Sequence, residues 1–293
     1  MNKVIDLLGL IFRIFLIVFL FVFIQVAVIT VFRFAGLDVN IYEGLFSTVY
    51  GLTAVAAMLL YGFVRSIKSD RLIRTDKPDG ISIIAAVVIA FGLLGLVTLY
   101  MYAAVLISKN FEPLADQLTE YSDSVDRFAT VDGSKVPYWD TLLGFVSSFM
   151  IIPLAEELTF RGALYSELNT RVKVIPAAIL SALIFGLMHG ISIHVGYAFI
   201  CGFVLALVYH FSGSIWVSYI VHSVFNLMGS SLFTLLDSGI YGDLKNASAN
   251  ASVHAAVLEI ICIIPAVSAL VIMYLIYKDR QTVIPEVHAE ELA

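Results

Sequence analysis

Three short stretches of this 293-residue chain hold side chains whose types and spacing could do chemistry. The first is AlaGluGluLeuThrPheArgGly, with Glu156, Glu157 and Arg161. The second is PheGlyLeuMetHisGly, with Phe185 and His189, and the third is HisSerValPheAsn, with His222 and Asn226. Consecutive residues on a helix are turned by about 100°, so Glu156 and Glu157 are not expected to face one point. Separate jobs follow. Glu157 stands four residues before Arg161 in the favourable acid-first order and can pair with it. Glu156 then has no partner in its own helix, and a carboxylate in low-dielectric surroundings favours taking up a proton, which is the task of a general base. His189 lies between Gly186 and Gly190, which let a backbone or a substrate come close. His222 and Asn226 are four apart, on one helical face about 6 Å from each other, and need a common target. Together these residues form a hydrolytic inventory. A carboxylate and an imidazole can deprotonate water, while an imidazole and a carboxamide can donate hydrogen bonds to the oxyanion formed when a carbonyl is attacked. Glu156, His189 and His222 could instead hold a divalent zinc ion with an open position for water. HExxH is absent, so spacing alone leaves both chemistries open.

The elements that must position these groups lie in a membrane. Of all residues, 60% are hydrophobic and 14% charged, against about 25% charged for a soluble domain. The bilayer core needs about 20 apolar residues per helix. Eight runs of about that size occur, near residues 7–32, 45–64, 81–107, 141–160, 174–191, 194–211, 215–236 and 256–277. The expected fold is therefore an all-α polytopic helical bundle of about eight transmembrane helices. The fourth run is expected to continue as helix past Arg161 through AlaLeuTyrSerGluLeu, and the first to be a retained anchor rather than a cleaved signal. The chain divides into N-terminal membrane helices with an acidic extracytoplasmic loop (1–140), a core bearing the polar motifs (141–236), and a last loop, final span and tail (237–293).

Arg65, Lys68, Arg71, Arg74 and Lys77 crowd the connection after the second run, which the positive-inside rule places in the cytoplasm. Alternation then puts both termini inside, and leaves outside the loop 108–140 with Glu112, Asp116, Glu120, Asp123, Asp126, Asp132 and Asp140, read as a solvated spacer. Asn246 and Asn250 head weak sequons on that outer side. A net charge of −6 gives no general attraction for nucleic acid, which is set aside as a partner. Cys201 and Cys262 read as small apolar-run residues. No P-loop, nucleotide-binding glycine fingerprint or GxSxG is present, so the chemistry belongs within the membrane region.

An ionisable side chain inside a span costs about 2.5–3.5 kcal/mol and needs a reason. Arg13, Glu259 and His210 lie near predicted helix ends, where snorkelling suffices. His194 sits at a junction of two spans, where headgroups or water can solvate it. Measured along their runs, Glu156 and His222 fall in the inner half of the bilayer and His189 nearer the outer half.

The motif-bearing region, roughly 140–230, resembles the CPBP family, which takes in CAAX proteases and bacteriocin-processing or Abi proteins. The family pattern is EExxxR, FxxxH and HxxxN, read here as Glu156, Glu157 and Arg161, Phe185 and His189, and His222 and Asn226. The resemblance implies an intramembrane endopeptidase of the bacterial cell membrane acting on a membrane-associated, leader or prenylated peptide. It implies that Glu156 and His189 activate water, that His222 and Asn226 stabilise the oxyanion, and that Glu157, Arg161 and Phe185 support them. Family members carry the metalloprotease label, but the glutamate-type chemistry favoured here requires no cofactor. The alternative from another class is a non-catalytic scaffold or bacteriocin self-immunity protein of the same fold. A relative that acted only by binding would be expected to have lost a catalytic side chain, and none is lost here.

Overall fold

Apolar runs of this length must form helices, because backbone polar groups in hydrocarbon have to be paired within their own segment. The computed structural model describes residues 3–67, 72–129, 135–190, 193–231 and 248–290, and every regular element among them is a helix. In chain order these are α1 (Lys3–Phe34), α2 (Glu43–Ser66), α3 (Gly80–Ser108), α4 (Glu112–Ala129), α5 (Tyr138–Asn169), α6 (Val174–Leu187), α7 (His194–Ser212), α8 (Ile215–Asn226), α9 (Ser248–Ile261) and α10 (Ile263–Glu290). Among the described residues, six stretches are long and apolar enough to cross a membrane: those of α1, α2, α3, α5 and α7, and Ala255–Gln281 across α9 and α10. The polytopic helical bundle is thus present. Two of the eight expected spans are shorter. The 14 residues of α6 reach about 21 Å, less than the roughly 30 Å of hydrocarbon, and the apolar helix Ile215–Gly229 is short as well.

Helix α5 is the centre of the bundle. It runs on past Arg161 to Asn169, and two of its segments, Ser147–Ile151 and Glu157–Tyr165, are wound as the wider π-helix, a form that recurs at functional sites. The first precedes Pro153, whose ring removes one backbone donor. Every residue from Glu157 to Tyr165 is buried. Around α5, one apolar cluster joins Ile17 and Phe21 of α1, Ala54 and Met58 of α2, Ala177 and Phe185 of α6, and Tyr209 of α7. A second joins Ala86 and Leu93 of α3, Leu205 of α7, Val221 of α8 and Met273 of α10. Small residues bring α6 and α7 close: a Cβ on Gly202 would stand 3.2 Å from the Ala182 backbone.

Several polar expectations change once the helices are packed. The stretch 108–140 is not a plain spacer, since it contains α4, and Asp140 is not solvated. Asp140 is buried at the start of α5, and its two oxygens accept the Gly44 and Leu45 amides at 2.8 Å each. It caps the N-terminus of α2, where Tyr42 offers no side-chain cap. Arg13 does not merely snorkel. Its Nε lies 2.9 Å from Oε2 of Glu167, a wholly buried residue in the last turn of α5 that also receives Arg65 Nε at 2.5 Å and the Tyr61 hydroxyl at 2.9 Å. Burial without such partners would cost several kcal/mol, roughly. His210 is also buried, between the hydroxyls of Tyr165 (2.8 Å from Nδ1) and Tyr277 (3.0 Å from Nε2). Glu259 accepts from Thr98 at 2.9 Å. At the other end of α3, Asp79 accepts the Ser82 amide at 2.7 Å, and that bond chiefly holds its carboxyl below the usual carboxylate range. Asn246 lies outside the described residues, and Asn250 falls within α9.

Removing the Asp140 carboxylate orphans a buried and a half-buried amide at once. Asp140→Ala is expected to destabilise the folded protein by about 1–3 kcal/mol, and Asp140→Asn, which keeps one acceptor, by less. Thermal unfolding of the detergent-solubilised variants measures both.

Candidate active site

Helices α5, α6 and α8 bring the three motifs together. On α5, Glu157 Oε1 accepts Arg161 Nη1 at 2.8 Å across four residues. The same oxygen lies 3.0 Å from His222 Nδ1 on α8. A carboxylate can only accept, so Nδ1 carries the hydrogen in this contact. The opposite ring nitrogen, Nε2, faces Glu156 Oε2 at 3.5 Å. Glu156 and Glu157 therefore do meet one residue, contrary to the helical-angle expectation. The reason is reach: an imidazole offers nitrogens on two sides, and carboxylates diverging by a hundred degrees can each take one. The pairing of Glu157 with Arg161 occurs as its spacing predicts.

The guanidinium of Arg161 is fully buried and shared three ways. It pairs with Glu157, donates from Nη2 to the Gly202 carbonyl at 3.3 Å, and lies 4.5 Å above the Phe185 ring centroid. That ring meets the His189 ring edge to face at 4.7 Å and the His222 ring at 6.1 Å. Phe185 is thus the common wall between the two imidazoles. Glu157 Oε2 and Arg161 Nε are buried without a hydrogen-bond partner among the described residues. An ion pair left half-satisfied in this way adds little stability by itself.

His189 lies just beyond the end of α6 rather than within a span, because the helix ends at Leu187. The last carbonyls of any helix lack an intrahelical donor. The His189 amide turns to Gly186, and its Nδ1 lies 2.9 Å from the carbonyl of Phe185. A carbonyl can only accept, so Nδ1–H donates, and in the neutral ring Nε2 is left as an acceptor. The FxxxH spacing is that of a helix-ending cap. Gly190, at φ +89°, then takes the left-handed turn. The ring of His194 lies 6.3 Å from that of His189.

Asn226 serves the π-turn of α5. The Ile152 amide donates to Ser147, five residues back, and the same register would pair the Ser148 carbonyl with residue 153. Pro153 has no N–H to give. Asn226 Nδ2 donates to the Ser148 carbonyl instead, at 3.0 Å. His222 and Asn226 do share a target helix, α5, but reach it at two different points.

Among the described residues no three His, Cys, Asp or Glu side chains gather closely enough to hold a metal ion. Glu156 and His222 are neighbours, while the His189 ring is turned towards the Phe185 carbonyl. Glu167 escaped the sequence reading, although it stands on the continuation of the fourth run. The signal was Arg13, a cation inside the first span that required a counter-ion. The Ser148 carbonyl, a backbone group, left no signal in side-chain spacing.

The carboxylate pair, both imidazoles and the carboxamide all fall within residues 138–228, the segment that matches the family described as type II CAAX prenyl endopeptidase Rce1-like. UPF0177 protein YxdF of Lactococcus lactis subsp. lactis (strain IL1403) is 38% identical over 90 residues, 30% of this chain. The chain spans about half (49%) of that relative's length. No solved structure matches the chain. Among the described residues, six membrane-length apolar stretches flank or include the matched segment. Residues 138–228 are thus similar to the Rce1-like CAAX prenyl endopeptidase family, and they are set within a polytopic helical membrane protein.

Proposed function

We propose that the chain is an intramembrane endopeptidase that hydrolyses a peptide bond in a membrane-associated, leader or prenylated peptide. The observation that carries this reading is the single imidazole of His222 held between two adjacent carboxylates, Glu157 at 3.0 Å and Glu156 at 3.5 Å. An ion pair serving only helix geometry would need Glu157 and Arg161 alone. Glu156 remains partly accessible while Glu157 is sealed, which suits a base that must meet water.

In this mechanism Glu156 takes a proton from water, which His189 orients through Nε2, and the hydroxide so formed attacks the scissile carbonyl. The oxyanion of the tetrahedral intermediate is met by His222, which the Glu157 carboxylate holds by Nδ1 and which donates through Nε2 when that nitrogen carries a hydrogen. Asn226 Nδ2 carries two hydrogens, so one nitrogen can serve both the Ser148 carbonyl and the oxyanion. Glu156 then returns its proton to the departing amine, which closes the balance. The side chains of this chain carry every step, and none is routed through a metal ion.

The test is cleavage of membrane peptides, prenylated and unprenylated, by the purified protein in liposomes. Glu156→Gln is expected to lower kcat by about 10²–10⁴-fold and Asn226→Ala by about 10²–10³-fold, both in folded protein and both indifferent to a chelator. Equal cleavage by wild type and Glu156→Gln overturns the protease reading and leaves a binding role. Glu157→Gln is expected to behave differently. It leaves the Arg161 charge buried without a counter-ion and so should lower stability by about 3–5 kcal/mol. Adding Arg161→Met should recover much of that stability but not the activity, because His222 Nδ1 then faces a neutral amide oxygen in place of a carboxylate. Unfolding and turnover measured on the same preparations separate the two effects.

A further inference from the structure

The connection between α2 and α3, singled out in the sequence only for its basic residues, is threaded into the bundle. Leu72 and Ile73 are buried although they belong to no helix. The Ile73 side chain fills a gap between two glycines. A Cβ on Gly62 of α2 would stand 2.6 Å from Ile73 Cδ1, and one on Gly162 of α5 would stand 3.2 Å from Ile73 Cγ2. Gly162 directly follows Arg161 in the π-wound segment.

The next residues bind the turn before α8. The Arg74 amide donates to the Tyr209 hydroxyl at 3.1 Å, and its carbonyl accepts the Ile215 amide at 2.9 Å. Thr75 and Ser214 form an antiparallel bridge, and Ser214 Oγ donates to the Asp76 carbonyl at 2.5 Å. The Arg74 guanidinium covers the Tyr209 ring at 4.7 Å. One short segment is therefore fixed at one point beside Arg161 and at another at the first residue of the helix that carries His222.

We propose that residues 72–76 are a positioning strap for the reaction, with Ile73 as its wedge. By holding α5 at Gly162 and α8 at Ile215, the strap sets the distance at which Glu157 and Glu156 meet His222. Ile73 touches no reacting group and acts through Arg161 and His222. This inference rests on the protease reading for its kinetic arm only.

The experiment uses the full chain in detergent. Ile73→Ala is expected to lower kcat about tenfold with KM unchanged, and to speed amide hydrogen exchange in peptides covering 157–165 and 215–226. Wild-type kcat together with wild-type exchange overturns the strap. If Ile73→Ala does not fold, a size exchange decides. Gly62→Ala alone should slow turnover, and adding Ile73→Val, which removes the methyl that the new Cβ meets, should restore it. A double variant no better than Gly62→Ala overturns the wedge. If wild type cleaves no peptide, the protease reading fails, and the exchange measurement alone judges the strap.

Discussion

The contact among Glu157, Arg161 and His222 is the constraint on which the rest of the structure depends. A carboxylate and a guanidinium taken wholly out of water lose several kcal/mol of hydration each, roughly, and their attraction returns this only when geometry is held and further hydrogen bonds are made. Nearly every element near α5 supplies part of that geometry. Helix α8 brings Nδ1 of His222, α7 the Gly202 carbonyl, and α6 the ring face of Phe185. The result holds an imidazole against a fixed acceptor and turns its other nitrogen towards Glu156. Side chains held from several helices in this way have little freedom to rearrange.

The second constraint is backbone. Pro153 inside a membrane helix removes a donor where no water can replace it. Winding Ser147–Ile151 as a π-turn moves the shortage to the Ser148 carbonyl, and a side chain from another helix satisfies it. His189 answers the same kind of shortage at the end of α6. Asn226 and His189 are thus held by carbonyls that regular helices would have kept for themselves. Irregular backbone and the polar side chains of the site explain each other.

Much of this was legible in the sequence, because hydropathy and four-residue spacing are local signals. The helices, the continuation of α5 past Arg161 and the Glu157–Arg161 pair all follow from them. What escaped depends on contacts between distant segments. Asp140 reads as one acid among many until α2 places its unpaired amides against it. Arg13 reads as a snorkelling cation until α5 extends far enough to set Glu167 beside it. The short length of α6, which moves His189 to a helix end, depends on where a turn falls within an apolar run, and hydropathy is blind to that.

These long-range contacts also change the standing of the chain outside residues 138–228. Glu167 lies within the matched segment, yet the two cations that face it, Arg13 and Arg65, come from α1 and α2. Asp140 lies within it too, and its amides are those of α2. Gly162 is backed by Ile73, and Ile215 donates to Arg74, both from the connection after α2. The matched segment therefore carries buried charges and backbone groups that it does not satisfy alone. In a medium without competing water, leaving them unmet would cost more than any apolar contact could return. The N-terminal helices are accordingly part of what holds the site in shape, and the matched segment and the helices before it form one structural unit.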